Sequence, residues 1–346
     1  MRIILFFVFS LFFILPAFAA DSVPAPGQSI MNPNISVIGN FYYYNTDLPV
    51  SAIAPNTMSL GETEIGFETA VDPYADAKFF ITLPLGGVPG VEEGYLTINS
   101  LPWGFQGKIG KFRSNFGKVN TSHPHARRYA DNPFVITNYF GDSLNENGVS
   151  LSKLIDDPWN VYSEVKLEFT NGDNAISFGS LTPRHAMMSL ANWSNFFELS
   201  DNSGLIIGLS DAYGMNNASG SYSTNLIGAN IQYKYKPDNM QQYIIEAEGL
   251  SSSRNSVAGA MNTGGYYAYT GYMPNRYWEY GVRYDSTQAP TSTVWQQSIS
   301  PIITYRASEF AFYRVQYNAI TSGGVSNNEI YVQANFTIGA HGAHVY

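Results

Sequence analysis

Over 159–170 apolar and polar residues alternate without a break. Trp159, Val161, Ser163, Val165, Leu167 and Phe169 fall on one face of an extended chain, and Asn160, Tyr162, Glu164, Lys166, Glu168 and Thr170 on the other. A helix of 3.6 residues per turn cannot sort such a segment, whereas a strand with one apolar and one wet face does so naturally. The pattern recurs. Glu62, Glu64 and Glu68 oppose Thr63, Ile65, Phe67 and Val71, and Asp76 and Lys78 oppose Ala77, Phe79, Ile81 and Leu83. Glu279, Arg283 and Asp285 oppose Trp278, Tyr280, Val282 and Tyr284, and near the end Glu329, Tyr331, Gln333 and Asn335 oppose Ile330, Val332, Ala334, Phe336 and Ile338.

A soluble sandwich also alternates, so composition has to decide. Charged residues are only 13% of the chain, about half the usual soluble share, while aromatics reach 15% and crowd the strand ends. Past the first twenty residues no apolar run reaches 18, which excludes helical spans. A closed barrel is the remaining way to pair every backbone group inside a bilayer. Turn signals place sixteen strands near 35–44, 58–71, 75–83, 92–99, 105–113, 148–155, 159–171, 187–200, 204–213, 222–236, 241–253, 264–273, 277–286, 294–305, 309–319 and 328–338. The expected fold is therefore all-β, a transmembrane antiparallel barrel of about sixteen strands. Alternate connections are tight, as at Asp72-Pro73-Tyr74, Pro102-Trp103-Gly104 and Pro274-Asn275-Arg276; those between them are mostly longer, which sets short periplasmic turns against long outer loops.

Residues 1–19 read as a signal peptide: Arg2, an apolar run over 3–15, and Ala17-Phe18-Ala19 before the cut, leaving 20–346 as the barrel. The absence of cysteine removes thiolate chemistry and disulfides. The net charge of −9, one unit more negative once Arg2 is removed, argues against a nucleic-acid partner.

The longest connection, 114–147, is the third outer loop. A loop of that length is usually functional, and folded into the lumen it would form a constriction. Lys111, Arg113, Lys118, Arg127 and Arg128 would then face Asp131, Asp142 and Glu146 across a narrow aperture; the alternative is that these residues stitch the loop to the wall. Glu62, Glu64, Glu68, Lys108, Glu164, Lys166, Glu168, Lys234, Glu246, Glu248, Arg283 and Arg314 are expected to line the lumen. Acids outnumber bases in that set seven to five, which suggests a weak cation preference. His123 and His125 are spaced to point the same way on an extended backbone, with His185 in the next outer loop, and imidazole suits zinc or copper; equally, Pro124 could only be shaping a turn. His341 and His344 follow the last strand in a flexible-looking end. No cofactor is expected.

Several stretches carry a family resemblance. Gly110-Lys111-Phe112-Arg113-Ser114-Asn115-Phe116-Gly117, His123-Pro124-His125, Asn195-Phe196-Phe197-Glu198-Leu199-Ser200, Tyr233-Lys234-Tyr235-Lys236-Pro237, Gly281-Val282-Arg283-Tyr284-Asp285 and Gly339-Ala340-His341-Gly342-Ala343-His344 together resemble porin-like outer-membrane proteins related to the phosphate-selective porins O and P. The resemblance implies sixteen strands, an inward third loop and a homotrimer. It does not extend to phosphate, because the chain has only 18 Lys and Arg. Tyr346 resembles the terminal aromatic read by the outer-membrane assembly machinery.

The expected function is passive diffusion of small polar or ionic solutes through a barrel surrounded by outer-membrane lipid. The alternatives are a barrel for metal binding or uptake, zinc foremost, and a non-conducting structural or adhesive barrel. An energised receptor needs about 22 strands and a plug, more than 346 residues can supply. An enzyme is not expected, since no G-x-S-x-G nucleophile elbow occurs.

Overall fold

In a computed structural model, which describes residues 33–47, 56–84, 87–155, 161–179 and 187–339, the chain forms sixteen strands. In order they are β1 (Asn34–Thr46), β2 (Thr57–Asp72), β3 (Ala75–Pro84), β4 (Gly90–Leu101), β5 (Phe105–Arg113), β6 (Asn145–Ile155), β7 (Tyr162–Thr170), β8 (Met188–Ser200), β9 (Ser203–Met215), β10 (Ser223–Tyr235), β11 (Gln242–Ser256), β12 (Gly259–Met273), β13 (Trp278–Gln288), β14 (Trp295–Arg306), β15 (Ala311–Ser322) and β16 (Val325–Gly339). Each pairs antiparallel with its neighbour in sequence. Because their number is even, β1 meets β16 antiparallel as well, from Ser36 opposite Gly339 to Thr46 opposite Glu329, and the barrel closes with no free edge. The proposed leader, residues 1–19, lies outside the described residues, as do His185, His341, His344 and Tyr346.

The period-two pattern sets the two surfaces of the wall. On β13, Trp278, Tyr280, Val282 and Tyr284 are exposed outside while Glu279, Arg283 and Asp285 are buried inside. β14 and β15 repeat the arrangement, with Ile299, Ile303, Tyr313 and Val315 outside and Ser298, Ser300, Thr304, Arg314, Gln316 and Asn318 inside. Outside, aromatics gather near the short turns: Tyr243 stacks on Tyr272 with ring centres 4.5 Å apart, and Trp278 lies 4.9 Å from Tyr305. Tyr213 and Trp295 stand near the opposite ends, and aliphatic residues such as Ile231, Val282 and Val332 occupy the band between. Two aromatic girdles around an apolar belt mark a membrane-spanning barrel of the outer-membrane class.

The short turns are held by side-chain oxygens that stand in for missing strand partners. Asp72 Oδ1 accepts from the Tyr74 N–H at 2.7 Å, Asp238 Oδ1 from those of Met240 and Gln241 at 2.7 and 2.6 Å, and Asn275 Oδ1 from those of Tyr277 and Trp278 at 2.9 and 3.1 Å. The outer connections are less uniform than expected, since β11–β12 and β15–β16 turn through two residues each.

The long loop after β5 is not structureless. It holds two single 3-10 turns, Val119–Thr121 and Pro124–Ala126, and a short helix, α1 (Phe134–Phe140), and β6 begins earlier than expected, at Asn145. The first free N–H of α1, on Phe134, donates to Asp285 Oδ1 at 3.0 Å, and Gly141 ends the helix with a positive φ of +74°, which glycine adopts without strain.

Candidate functional site

The loop's hydrogen bonds reach most of the way round the wall, so it lies inside the cylinder. The backbone N–H groups of Lys118 and Val119 donate to Glu248 Oε2 on β11 at 3.0 and 3.1 Å. Asn115 N donates to Glu168 on β7 at 3.2 Å, Arg128 Nη1 to Glu279 on β13 at 2.6 Å, and Ala130 N to Gln316 on β15 at 2.7 Å. His123 contacts Glu64 on β2 and Glu93 on β4. Gly117 makes the approach to β11 possible: its φ is +64°, and a Cβ there would collide with the Glu248 carboxylate.

One side of the loop is apolar. Phe116, Val119, Tyr129, Val135, Ile136, Tyr139, Phe140 and Leu144 pack with Phe178 and with inward residues of β8–β12, among them Met188, Leu190, Ala212, Leu226, Leu250, Tyr267 and Tyr269, in one buried cluster. The strand positions of Met188, Leu190, Ala212 and Leu226 place this pad in the outer half of the barrel. The interior thus combines the expected charged lining with an apolar pad that the strand alternation did not single out. Each fully buried large side chain contributes roughly 1.5–3 kcal/mol, enough to hold a loop of mixed sequence against the wall.

The other side of the loop faces a cavity of about 650 Å³. Arg113, Lys118, Arg127 and Arg128 from the expected constriction line it, together with Glu64, Glu68, Lys108, Glu164, Lys166, Lys234 and Glu246 from the expected lumen set, and His123 and His125. Glu68 pairs with Lys78 at 2.8 Å, and Glu164 with Lys166 at 3.1 Å. The rest of the lumen set is used differently. Glu168, Glu248, Arg283 and Arg314 are inward but covered by the loop, and anchor it. Arg314 donates to the Arg127 carbonyl at 2.8 Å. Glu62 lies beside Glu64 and Glu92, away from the cavity lining.

Of the two arrangements open for the loop charges, the contacts of several follow the second, in which they stitch the loop to the wall. Asp131 is bound to Arg283 Nη2 at 2.9 Å and to Asn318 at 3.0 Å. Glu146 accepts from Thr170 Oγ1 at 3.0 Å and from the N–H groups of Gly172 and Asn174, tying β6 to the segment after β7. Lys111 lies three residues past Lys108, on the other face of β5, and donates to the Val91 carbonyl at 2.8 Å. Only Asp142 stays largely open, its side chain 65% exposed and 3.2 Å from Arg113. The reason is general: charges taken into an interior bond to whatever the wall presents there.

Glu92, Glu93 and Glu279 were not among the expected site residues. Arg113 is bracketed by Glu92, Glu93 and Asp142, and Glu279 is shared by Arg128 and Arg306, each at 2.6 Å. Alternation flags Glu279 as inward; nothing in the local sequence pairs Glu92 with Arg113, 21 residues on.

Within the loop, burial shifts several ionisations. Burial pulls the Lys118 ammonium below its ordinary range against the opposing pull of Glu246 and Glu248. Burial, then the neighbouring Arg113 charge, lowers Arg127. Burial works against a charged His123, yet hydrogen bonds to Glu64 and Glu93 outweigh it and raise the imidazole to about 10.

No protein-family model matches the chain. A protein of Aquifex aeolicus (strain VF5), described as uncharacterized, is 26% identical over an alignment 342 residues long, and the match takes in 83% of this chain and 70% of that one. The anion-selective porin from Comamonas acidovorans superposes with a TM-score of 0.63 at 10% identity, over 89% of this chain and 99% of its own. OmpT, an outer membrane protein of Vibrio cholerae, gives 0.60 at 10% identity in its in-vitro folded trimer form, over 89% and 100%. OmpF of Salmonella typhi in complex with daunomycin gives 0.58 at 11% identity, over 88% and 97%. Likeness at such identities establishes architecture alone: the closed sixteen-stranded antiparallel barrel is a fold shared with these proteins. The likeness in fold to porins agrees with the porin-like part of the sequence resemblance and does not bear on the phosphate-selective O and P branch.

Proposed function

We propose that this outer-membrane barrel is a passive diffusion channel for small polar and ionic solutes, constricted by its third loop and working as a homotrimer. The observation that carries the reading is the 650 Å³ cavity, whose charged lining comes from both wall and loop. A wet, charged passage beside an apolar pad suits solutes that shed little of their hydration.

The wall alone suggests cations, but the loop shifts the balance. Lys78, Lys108, Arg113, Lys118, Arg127, Arg128, Lys166 and Lys234 line the cavity against Glu64, Glu68, Glu93, Glu164 and Glu246. Arg113, Arg128, Lys78 and Lys166 are matched by carboxylates; Arg127 bonds instead to the Ser122 carbonyl and to Asn132. The reading is therefore a preference for small anions, and the structural likeness to an anion-selective porin supports it. The trimer form of the Vibrio cholerae neighbour supports the oligomer, which cross-linking in native outer membranes would test. Enzymatic work is not proposed, because the inward carboxylates Glu168 and Glu248 are occupied by loop N–H donors.

Planar-bilayer recording tests the proposal. Purified folded protein is expected to give stable ohmic steps, and a salt gradient a reversal potential on the anion side. Changing Lys118 and Arg127 together to alanine is expected to move that potential toward cations. Silence from demonstrably folded trimers would overturn the channel and leave an anchoring or adhesive barrel in its place.

A further inference from the structure

Where the third loop crosses toward β2 and β4, it brings two imidazoles onto a buried carboxylate. His123 Nδ1 lies 2.8 Å from Glu64 Oε2, and His125 Nδ1 lies 3.8 Å from the same oxygen. One ligand atom from each of the three residues falls within 4.8 Å of the others. Ligands on an ion held at 2.0–2.1 Å in tetrahedral geometry sit about 3.3 Å apart, so small side-chain rotations close the set. Pro124, between the two histidines, starts the 3-10 turn that holds both rings on one side, their centres 5.5 Å apart.

Two further observations point to a cation. Glu64 is 2% exposed, and its second oxygen, Oε1, has no hydrogen-bond partner. Such an atom is costly unless something positive reaches it. The other ring nitrogen of His123, Nε2, lies 2.9 Å from Glu93 Oε1. A carboxylate behind a ligating imidazole fixes the ring and raises its basicity, the usual outer support of a histidine metal ligand. Glu62 and Glu92 place two more carboxyl groups beside Glu64, one oxygen of each of the three lying within 4.8 Å of the others.

We infer that Glu64, His123 and His125 form a site for one divalent transition-metal ion of the zinc, cobalt or nickel kind, with Glu93 orienting His123. Two imidazoles and one carboxylate suit borderline ions over magnesium or calcium, which prefer all-oxygen shells. All three ligands line the cavity, which leaves a fourth position for water or a passing anion. The site stands independently of the channel reading.

Calorimetry with zinc chloride on tag-free, detergent-folded protein tests this, alongside visible absorption with cobalt. One ion per chain is expected, with the intense d–d bands of a tetrahedral centre. Glu64→Gln and His125→Gln should each weaken binding at least tenfold, with heat-modifiable gel mobility confirming that the barrel is folded. Magnesium should not compete. Absence of zinc binding, or binding that survives both substitutions, would overturn the inference; the latter would place the ion on other histidines. A barrel that conducts but binds no zinc sinks this site alone, and one that binds zinc but never conducts sinks the channel alone.

Discussion

Arg283 shows how much a single inward residue decides. It is fully buried, bonded to Asp285 at 2.7 Å and Asp131 at 2.9 Å, and its guanidinium lies over the Tyr129 ring at 4.7 Å. Arg283→Met would leave the buried Asp285 and the half-buried Asp131 without their cation, at a cost of roughly 3–5 kcal/mol. A lowered guanidinium midpoint is expected; an unchanged midpoint would mean that Asp131 leaves the wall freely. The inward position of Arg283 was legible from alternation in Gly281-Val282-Arg283-Tyr284-Asp285. Its partner Asp131 was not, because 152 residues separate them and only closure of the barrel brings them together.

At the scale of elements, strands and loop differ in how they are encoded. A strand between lipid and water writes its period into sequence, so all sixteen were readable within a few residues of their ends. Helix α1 has no such signature. Its seven residues include Val135, Ile136 and Thr137, poor helix formers, and it stands because Ile136, Tyr139 and Phe140 dock into the apolar pad. In β12 the run Tyr266-Tyr267-Ala268-Tyr269 hides which tyrosines turn inward; Tyr267 and Tyr269 do. The loop's seat is testable at Gly117, where valine would need both an unfavourable φ and the space of the Glu248 carboxylate. Gly117→Val is expected to free the loop and enlarge single-channel steps, and steps of unchanged size would show that the loop does not set the conductance.

For the whole molecule, the prediction concerns its exterior. Val282 lies near the middle of β13 on the outer face, and Ile338 near the end of β16. Arginine at Val282 should cost about 2–4 kcal/mol in lipid vesicles, and at Ile338 only about 0–1 kcal/mol, because the penalty follows depth in hydrocarbon. Equal costs at the two positions would contradict the placement of the belt.

The loop's attachments to β2, β4, β7, β11, β13 and β15 also bear on biogenesis. Those footholds come from both ends of the polypeptide, so no partly built sheet can offer all of them. The loop is expected to act as a keystone, fully seated only once closure has brought β2 and β15 to the same lumen. Resistance of 114–144 to a protease supplied from outside thus becomes a clock for completion, appearing after the strands themselves are shielded.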